Sequence, residues 1–283
     1  MSGIGKKLNK IWEKINQFNL DAPSVAIAWQ EVAGSVFNSE IQTGHRLLLF
    51  LSVWVVYCFD RLIDVQNIPR TETPKTKRHQ FHQRYAFSLR LVCQLAGAIS
   101  IGLAFANLNT QAWLGALMIM GLTVLHLIIS HNELLDDSFP LKKELRVGLI
   151  FGAGTILQPW SLRDVETPHF FYVWLVLGFL AAANCFWVSY WDNDISAQKK
   201  GGLKKLNLFS TGVSIVTSVL ALAFNQGIIA FAAGLTAAFS NVGLLLLESK
   251  LGNKSKVWKQ SMADILLLVI PCFFLMVSKF SGI

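Results

Sequence analysis

The chain has 283 residues, of which 53% are hydrophobic and only 15% are charged. Its mean hydropathy of +0.47 is too high for an ordinary soluble domain and indicates a membrane protein with several spans. The net charge of +8 is carried by lysines and arginines in short loops between apolar runs. Because membrane topology explains such a distribution, we expect no nucleic-acid partner.

Residues 1–21 predict an amphipathic helix on the cytoplasmic surface of a membrane. Apolar residues recur at helical spacing from Ile4 to Phe18, and four lysines between Lys6 and Lys14 occupy the opposite face. A basic amphipathic helix of this kind binds the membrane lipids of an anionic leaflet. A frayed tail with chance periodicity is the alternative. No apolar run follows the early lysines, so we expect no signal peptide.

Residues 22–283 predict one all-α domain, a bundle of about nine transmembrane helices. The apolar runs are close to the roughly 20 residues that a spanning helix needs. The first run is the weakest, because Gln30 and Glu31 interrupt it, but it puts the basic N-terminus on the same side as the other basic loops. The predicted spans lie near residues 22–38, 44–64, 86–106, 110–130, 143–160, 168–191, 207–225, 227–248 and 260–279.

The positions of the basic residues support this topology. With the N-terminus inside, the inner segments hold all but four of the 25 lysines and arginines. The exceptions are Arg46, Arg90, Arg163 and Lys279. The positive-inside rule therefore predicts an integral protein of the inner or plasma membrane, or of an equivalent internal membrane. The longer and more polar loops face the cytoplasm, and we expect the active face there.

Two acidic clusters end apolar runs in separate halves of the chain, Asp60 with Asp64 and Asp192 with Asp194. Four predicted spans separate them, and this even number puts both clusters on the cytoplasmic face. Acidic residues are costly at membrane depth and are therefore functional candidates. On a helix, Asp60 and Asp64 lie on one face about 6 Å apart, and they repel each other unless a cation or a proton relieves them.

Paired carboxylates at a water-accessible helix end suit Mg²⁺, which prefers oxygen ligands and often binds together with the phosphates of a substrate. We therefore predict that Asp60, Asp64, Asp192 and Asp194 bind Mg²⁺. The alternative is that Arg61 neutralises the first cluster and that the second is a solvated helix end.

Basic residues near both clusters are candidates for binding a diphosphate, because the charge of this leaving group must be stabilised as its bond breaks. We predict this role for Arg78, Lys143 and Arg146, with Lys142 and Lys199 as further substrate-binding candidates. Ordinary membrane anchoring is the alternative for these cations.

Two tyrosines, Tyr57 and Tyr190, lie beside the acidic helix ends. Aromatic faces stabilise a carbocation through cation–π attraction, so both are catalytic candidates. Tyrosine at a membrane interface is also a common anchor, which is the alternative for each residue.

Four histidines lie near the predicted cytoplasmic face. His79 and His82 are three residues apart in a basic loop that we expect to be mobile, and we expect neither to bind metal. For His126 and His131, packing is favoured over the lining of a cavity.

These features together resemble the UbiA superfamily of intramembrane prenyltransferases along nearly the whole chain. The resemblance implies nine helices, an inside N-terminus and two Asp-rich motifs on the cytoplasmic face. Asp60 and Asp64 match the last two acids of the first motif, N-D-x-x-D-x-x-x-D. Residues 139–143 are similar to the Y-P-x-x-K-R element, and Gly148, Gly152 and Gly154 resemble the glycines of the helix that follows it.

The chain departs from the family pattern at both motifs. Val56 and Tyr57 stand where the family has Asn-Asp, so two polar ligands of the first motif are absent. The second motif, usually D-x-x-D-D or D-x-x-x-D, is compressed within residues 192–194. Asn184 lies two helical turns earlier and is a substrate-binding candidate that partly compensates. The chain is therefore identified as a divergent member.

The resemblance implies Mg²⁺-dependent transfer of an isoprenyl group from an allylic diphosphate to a lipophilic acceptor within the membrane. We expect the acceptor to be aromatic. A UbiA-type terpene cyclase, in which the cation is quenched within its own chain, is a close alternative. A non-catalytic membrane protein that binds a lipid or an ion belongs to another class, and a structural scaffold is a third.

Overall fold

A computed structural model of the protein describes residues 11–66, 77–132, 142–163, 169–192, 197–223, 228–250 and 256–280. These residues form α-helices and short connections, with no strand in the described ranges. Residues 11–17 are helical. The later helices are α1 (Asp21–Phe37), α2 (Thr43–Gln66), α3 (Lys77–Arg84), α4 (Ala86–Asn107), α5 (Thr110–Ser130), α6 (Lys143–Ser161), α7 (His169–Asp192), α8 (Ala197–Ala223), α9 (Ile228–Lys250) and α10 (Lys256–Phe280).

Each predicted span overlaps one of these helices, and the described residues confirm the all-α fold class. Five helical segments are long and apolar enough to cross a membrane: Ala86–Asn107, Thr110–Ser130, Phe170–Trp191, Ile229–Ser249 and Trp258–Ser278. The helix α2 is not among them, since charged residues lie near both of its ends. The chain therefore has the helices of a membrane protein, and the full nine-span topology stays a prediction.

The prediction of a mobile loop between the second and third spans was wrong for residues 77–84, which form α3. Phe81 packs against the hydrophobic cluster of α2 and α4, and His82 is fully buried. The spacing of Arg78, Phe81 and His82 puts all three on one face of a short helix. The sequence did not indicate this inward face, because most residues of the segment are basic or polar.

The first compact unit combines Met1–Ile27 with Gln42–Phe139 and holds α2 to α5. Its core lies where α2 packs on α4, with Cys58 and Leu62 against Leu89 and Cys93. These apolar residues line the inner face of α2, so the acidic residues of this helix lie on a different face.

The N-terminal segment of this unit is held by polar contacts. Trp54 Nε1 donates a hydrogen bond to the carbonyl of Phe18 at 2.8 Å. Glu13 and Lys77 form an ion pair at 2.8 Å, in which the Glu13 side chain is 28% exposed and that of Lys77 is 73% exposed. The outer faces of α4 and α5 instead expose large apolar side chains such as Phe105, as expected for helices in contact with lipid.

The second compact unit combines Ala28–Ile41 with Pro140–Ile283 and holds α6 to α10 together with most of α1. A hydrophobic cluster in this unit joins three helices, α7, α9 and α10. The buried members of this cluster are Trp187, Trp191, Leu244, Leu247 and Ala263. Trp29 Nε1 on α1 donates to the carbonyl of Leu267 on α10 at 3.1 Å, which ties the N-terminal piece of the unit to its last helix.

Within the second unit, α6 and α7 approach each other closely because glycines replace larger residues at the contact. A Cβ atom at Gly148 would lie 2.5 Å from the backbone nitrogen of Ala182, and one at Gly152 would lie 2.8 Å from that of Gly178. Trp174 Nε1 donates to the carbonyl at position 149 at 2.8 Å. Since lower numbers on α6 meet higher numbers on α7, the two helices are antiparallel.

Candidate metal centre

Asp60 and Asp64 lie one turn apart in the last part of α2, and their side chains are 25% and 34% exposed. His131 follows the last residue of α5 and acts as its C-cap. Its Nε2 atom lies 3.6 Å from Asp60 Oδ1 and 3.3 Å from Asp64 Oδ1. One ligand atom from each of the three side chains lies within 4.8 Å of the others. We call these three residues the Asp–Asp–His cluster.

The local sequence explains how each side chain reaches the Asp–Asp–His cluster. The spacing of four stacks the two carboxylates on one face of α2, as predicted. Burial of Cys58 and Leu62 on another face fixes the rotation of this helix. The ring of His131 is oriented by its own helix, since His131 Nδ1 lies 2.8 Å from the carbonyl oxygen of Leu127.

This hydrogen bond places one proton of the His131 ring. A carbonyl oxygen only accepts, so Nδ1 carries a hydrogen. Nε2 is the ring atom that faces the two carboxylate oxygens. Asp60 Oδ1 and His131 Nε2 are both buried, and neither has a hydrogen-bond partner among the described residues.

Two carboxylates and an imidazole that converge favour positive charge at this position, which a bound cation or a proton supplies. The neighbouring end of α5 adds to this demand, because helix C-termini favour positive charge. Arg61, the alternative partner, is not within ion-pair distance of either carboxylate, whereas His79 Nε2 lies 4.0 Å from Asp64 Oδ2. The residues present therefore fit a divalent cation.

Arg78, a predicted diphosphate ligand, is buried on α3 in the same unit. Its carbonyl oxygen accepts from His82 Nδ1 at 2.9 Å, and His82 Nε2 accepts from Asn19 Nδ2 at 2.9 Å. Burial lowers the pKa of His82, the hydrogen bond to the Arg78 carbonyl opposes this, and the charges of Arg61 and Arg78 lower the pKa further. The neutral ring thus anchors α3 through Asn19.

Tyr57 lies on α2 one turn before the first cluster and is partly exposed. The residue therefore shares a helix with the Asp–Asp–His cluster, but its proposed contact with a carbocation stays a prediction.

The other described candidates lie in the second unit. Lys142 is the exposed N-cap residue of α6, Lys143 is partly exposed, and Arg146 is buried. Because α6 and α7 are antiparallel, these cations lie at the same end of the helix pair as Asn184 and Tyr190 on α7. The Oδ1 atom of Asn184 is buried and has no hydrogen-bond partner among the described residues.

The second acidic cluster is only partly within the described residues. Asp192 ends α7, and its side chain is not described. Asp194 lies outside the described residues, and Lys199 lies on α8 with a side chain that is not described. The predicted metal ligands of this cluster therefore stay predictions.

Two groups were missed from the sequence. His131 was expected to pack, yet it faces Asp60 and Asp64; the available signal was its position at the predicted cytoplasmic end of an apolar run. A buried ion pair in the second unit was also missed. Glu248 Oε2 accepts from Lys259 Nζ at 3.2 Å and from Trp191 Nε1 at 2.9 Å, beside the start of the second acidic cluster.

No protein-family model matches the sequence, and no curated protein matches it. Two solved structures match the fold. The apo structure of a UbiA homologue from Aeropyrum pernix K1 has a TM-score of 0.60 and 15% identity, over 93% of this chain and 98% of that chain. The structure of a UbiA homologue from Archaeoglobus fulgidus bound to DMAPP and Mg²⁺ has a TM-score of 0.54 and 14% identity, over 93% of this chain and 99% of that chain.

Proposed function

We propose that this chain, which has the fold of UbiA homologues, is a membrane-bound prenyltransferase that uses an isoprenyl diphosphate and a divalent cation. The observation that carries the proposal is the convergence of Asp60, Asp64 and His131 in an arrangement that can hold a metal ion. The Mg²⁺ and DMAPP, an isoprenyl diphosphate, bound to one UbiA homologue support it. Membership of the UbiA superfamily, at a divergent position, is part of the same proposal.

A bound Mg²⁺ supplies positive charge to the phosphate oxygens of the substrate. Asp60 and Asp64 hold this ion, and Asp192 and Asp194 are proposed as a second pair of ligands. Arg78, Lys143 and Arg146 neutralise the diphosphate, with Lys142, Lys199 and Asn184 as further contacts. These cations act where negative charge develops on the leaving group, which is where fixed charge lowers a barrier most.

In the proposed reaction, the allylic carbon–oxygen bond breaks and its electron pair leaves with the diphosphate. The faces of Tyr57 and Tyr190 stabilise the remaining allylic cation. A lipophilic acceptor from the bilayer then forms the new bond to the allylic carbon and loses a proton to water. The acceptor is proposed to be aromatic, because an electron-rich ring is a suitable nucleophile for such a cation. The reaction is proposed to occur at the cytoplasmic face.

A non-catalytic protein that binds a lipid or an ion is the second candidate. The specific observation in its favour is that Val56 and Tyr57 occupy positions of two polar ligands in the family motif. Fewer ligands weaken the hold on a diphosphate-bound cation.

Diphosphate release tests the proposal. The purified protein in lipid nanodiscs is given Mg²⁺ and allylic diphosphates of several lengths, with and without a lipid extract that supplies acceptors. We expect Asp60→Asn and Asp64→Asn to lower the release rate by about 10² or more, the typical cost of removing one electrostatic group from a reacting centre. Glu13→Gln, which neutralises a carboxylate of the ion pair with Lys77, is the matched control and should retain the rate.

Products distinguish the alternatives. Release that needs the extract indicates transfer to an acceptor, whereas cyclic products without the extract indicate a terpene cyclase. If no diphosphate of any length is cleaved under either condition, the prenyltransferase proposal fails and the binding-only function replaces it.

A further inference from the structure

We propose that His131 is a nitrogen ligand of the cation and that it gives the Asp–Asp–His cluster a preference for Mn²⁺ over Mg²⁺. This inference rests on the proposed function only in placing the cation at Asp60 and Asp64. It adds a ligand that the sequence did not predict and names the metal class that this ligand selects.

The distances fit direct coordination. Ligand atoms that each lie about 2.0–2.2 Å from one metal ion are separated by about 3–3.5 Å when they occupy neighbouring positions. His131 Nε2 lies 3.3 Å from Asp64 Oδ1 and 3.6 Å from Asp60 Oδ1. A small inward movement of side chains brings all three atoms to a common ion.

The chemistry of the ring also fits. Metal-binding histidines generally donate their other ring N–H to a carbonyl or carboxylate, which fixes the tautomer and the orientation of the ring. His131 Nδ1 makes this contact with the carbonyl of Leu127 at 2.8 Å. Nε2 is buried without a hydrogen bond among the described residues, and it lies beside the two carboxylates, where it can bind the same ion.

His131 is the better placed of the two nearby imidazoles. His79 Nε2 lies 4.0 Å from Asp64 Oδ2, the oxygen on the other side of that carboxylate. The group of side chains that can share one ion contains His131 and not His79 among the described residues. His79 therefore serves as the competing candidate in the test.

A mixed donor set changes the choice of metal. Mg²⁺ is bound through oxygen, whereas imidazole suits first-row transition metals, and affinity in such sites rises from Mn²⁺ through the later metals. Mn²⁺ accepts carboxylate oxygen as readily as Mg²⁺ does and tolerates a nitrogen ligand better. In this chain an imidazole thus takes the place of the Asn-Asp pair of the family motif. This change raises the affinity of the cluster for Mn²⁺ relative to Mg²⁺, and Mg²⁺ can still bind.

The test is electron spin-echo envelope modulation of Mn²⁺ added to the full-length protein in detergent, in a buffer without nitrogen ligands. We expect ¹⁴N modulation from one imidazole in the wild type, and a change to the ¹⁵N pattern when only histidine is labelled with ¹⁵N. The modulation should disappear in His131→Gln, which retains a similar reach but offers oxygen. It should persist in His79→Gln and in His126→Gln, the matched control on the same helix.

Affinity gives a second readout. Competition with Mg²⁺ should show tighter Mn²⁺ binding in the wild type. His131→Gln should lower the Mn²⁺ affinity by at least about tenfold, because the loss of a residue that only hydrogen-bonds a metal ligand already costs about that much. Mg²⁺ affinity should change less. The ¹⁵N experiment on the wild type stands if His131→Gln does not fold.

Three results would overturn the inference: Mn²⁺ bound without nitrogen modulation, modulation lost in His79→Gln instead of His131→Gln, or no Mn²⁺ binding. Its failure is separable from that of the proposed function. If diphosphate is released but no nitrogen modulation is seen, the prenyltransferase proposal stands and the role of His131 as a ligand fails. If nitrogen modulation is seen but no diphosphate is released, His131 stands as a ligand and the prenyltransferase proposal fails.

Discussion

At the scale of single residues, a carboxylate buried in the second unit is paired with a buried cation. Glu248 and Lys259 are both buried and form an ion pair at 3.2 Å. Glu248 also accepts from Trp191, the residue before Asp192. We interpret Glu248 as a positioning residue that holds the end of α7. A buried pair contributes little net stability, but the loss of one partner leaves the other charge uncompensated.

We therefore expect Glu248→Gln to lower the free energy of unfolding by about 3–5 kcal/mol, the typical cost of breaking a buried pair. The variant keeps a carbonyl oxygen for Trp191 while it removes the charge that faces Lys259. The measurement is the thermal unfolding midpoint of the purified protein in one detergent. Glu13→Gln, whose partner Lys77 is exposed, should cost less than about 1 kcal/mol. Equal shifts for both variants would contradict the role of burial.

At the scale of helices, the contact between α6 and α7 depends on missing side chains. The backbones approach so closely at Gly148 that a methyl group would meet the Ala182 nitrogen at 2.5 Å. In membranes, small residues at such contacts permit the close packing that holds helices together. This contact orients the basic start of α6 relative to the acidic end of α7. A larger side chain at Gly148 should therefore displace these two helix ends relative to each other.

Gly148→Ala should destabilise the protein by about 1–3 kcal/mol, because an added methyl group in a tight contact forces the helices apart. The matched control is Gly154→Ala on the same helix, where a Cβ would meet nothing within 4 Å. That change should be neutral or stabilise by about 0.5–1 kcal/mol through helix propensity. Thermal unfolding in detergent measures both. Destabilisation by Gly154→Ala as large as that by Gly148→Ala would argue against the close approach.

At the scale of the whole molecule, the charge pattern predicts an orientation in the membrane. Basic residues concentrate in alternate loops, and cytoplasmic loops carry such an excess. Both acidic clusters and the N-terminus then face the cytoplasm. Five of the nine predicted spans have the length and apolarity of a membrane-spanning helix. For the other four, the decisive measurement is the side of the membrane on which the flanking loops lie.

In a variant without Cys58, Cys93, Cys185 and Cys272, we expect Lys77→Cys to react with a membrane-impermeant maleimide only from the cytoplasmic side. Thr110→Cys should react only from the other side, since one predicted span separates the two positions. Inverted and right-side-out vesicles provide the two sides, and detergent-solubilised protein is the control for reactivity. Labelling of both positions from one side would refute the predicted topology.

The positions of the helices could be read from the sequence because a segment in hydrocarbon must satisfy its own backbone hydrogen bonds, so each apolar run of sufficient length becomes a helix. The stacking of Asp60 on Asp64 followed from the helical repeat alone. The short helix α3 could not be read in this way, because its inner face becomes apparent only from contacts with residues elsewhere in the chain, such as Phe18 and Asn19.

Only the tertiary structure decided which distant residues meet. His131 reaches Asp60 and Asp64 from another helix, and Glu248 meets Lys259 across a connection between helices. No local pattern encodes these contacts, since they depend on how whole helices pack and rotate. Whether a segment forms a helix depends on its local sequence and its solvent. Whether aspartates and a histidine from different helices converge depends on how those helices pack. The second acidic cluster, at Asp192 and Asp194, stays a prediction from sequence.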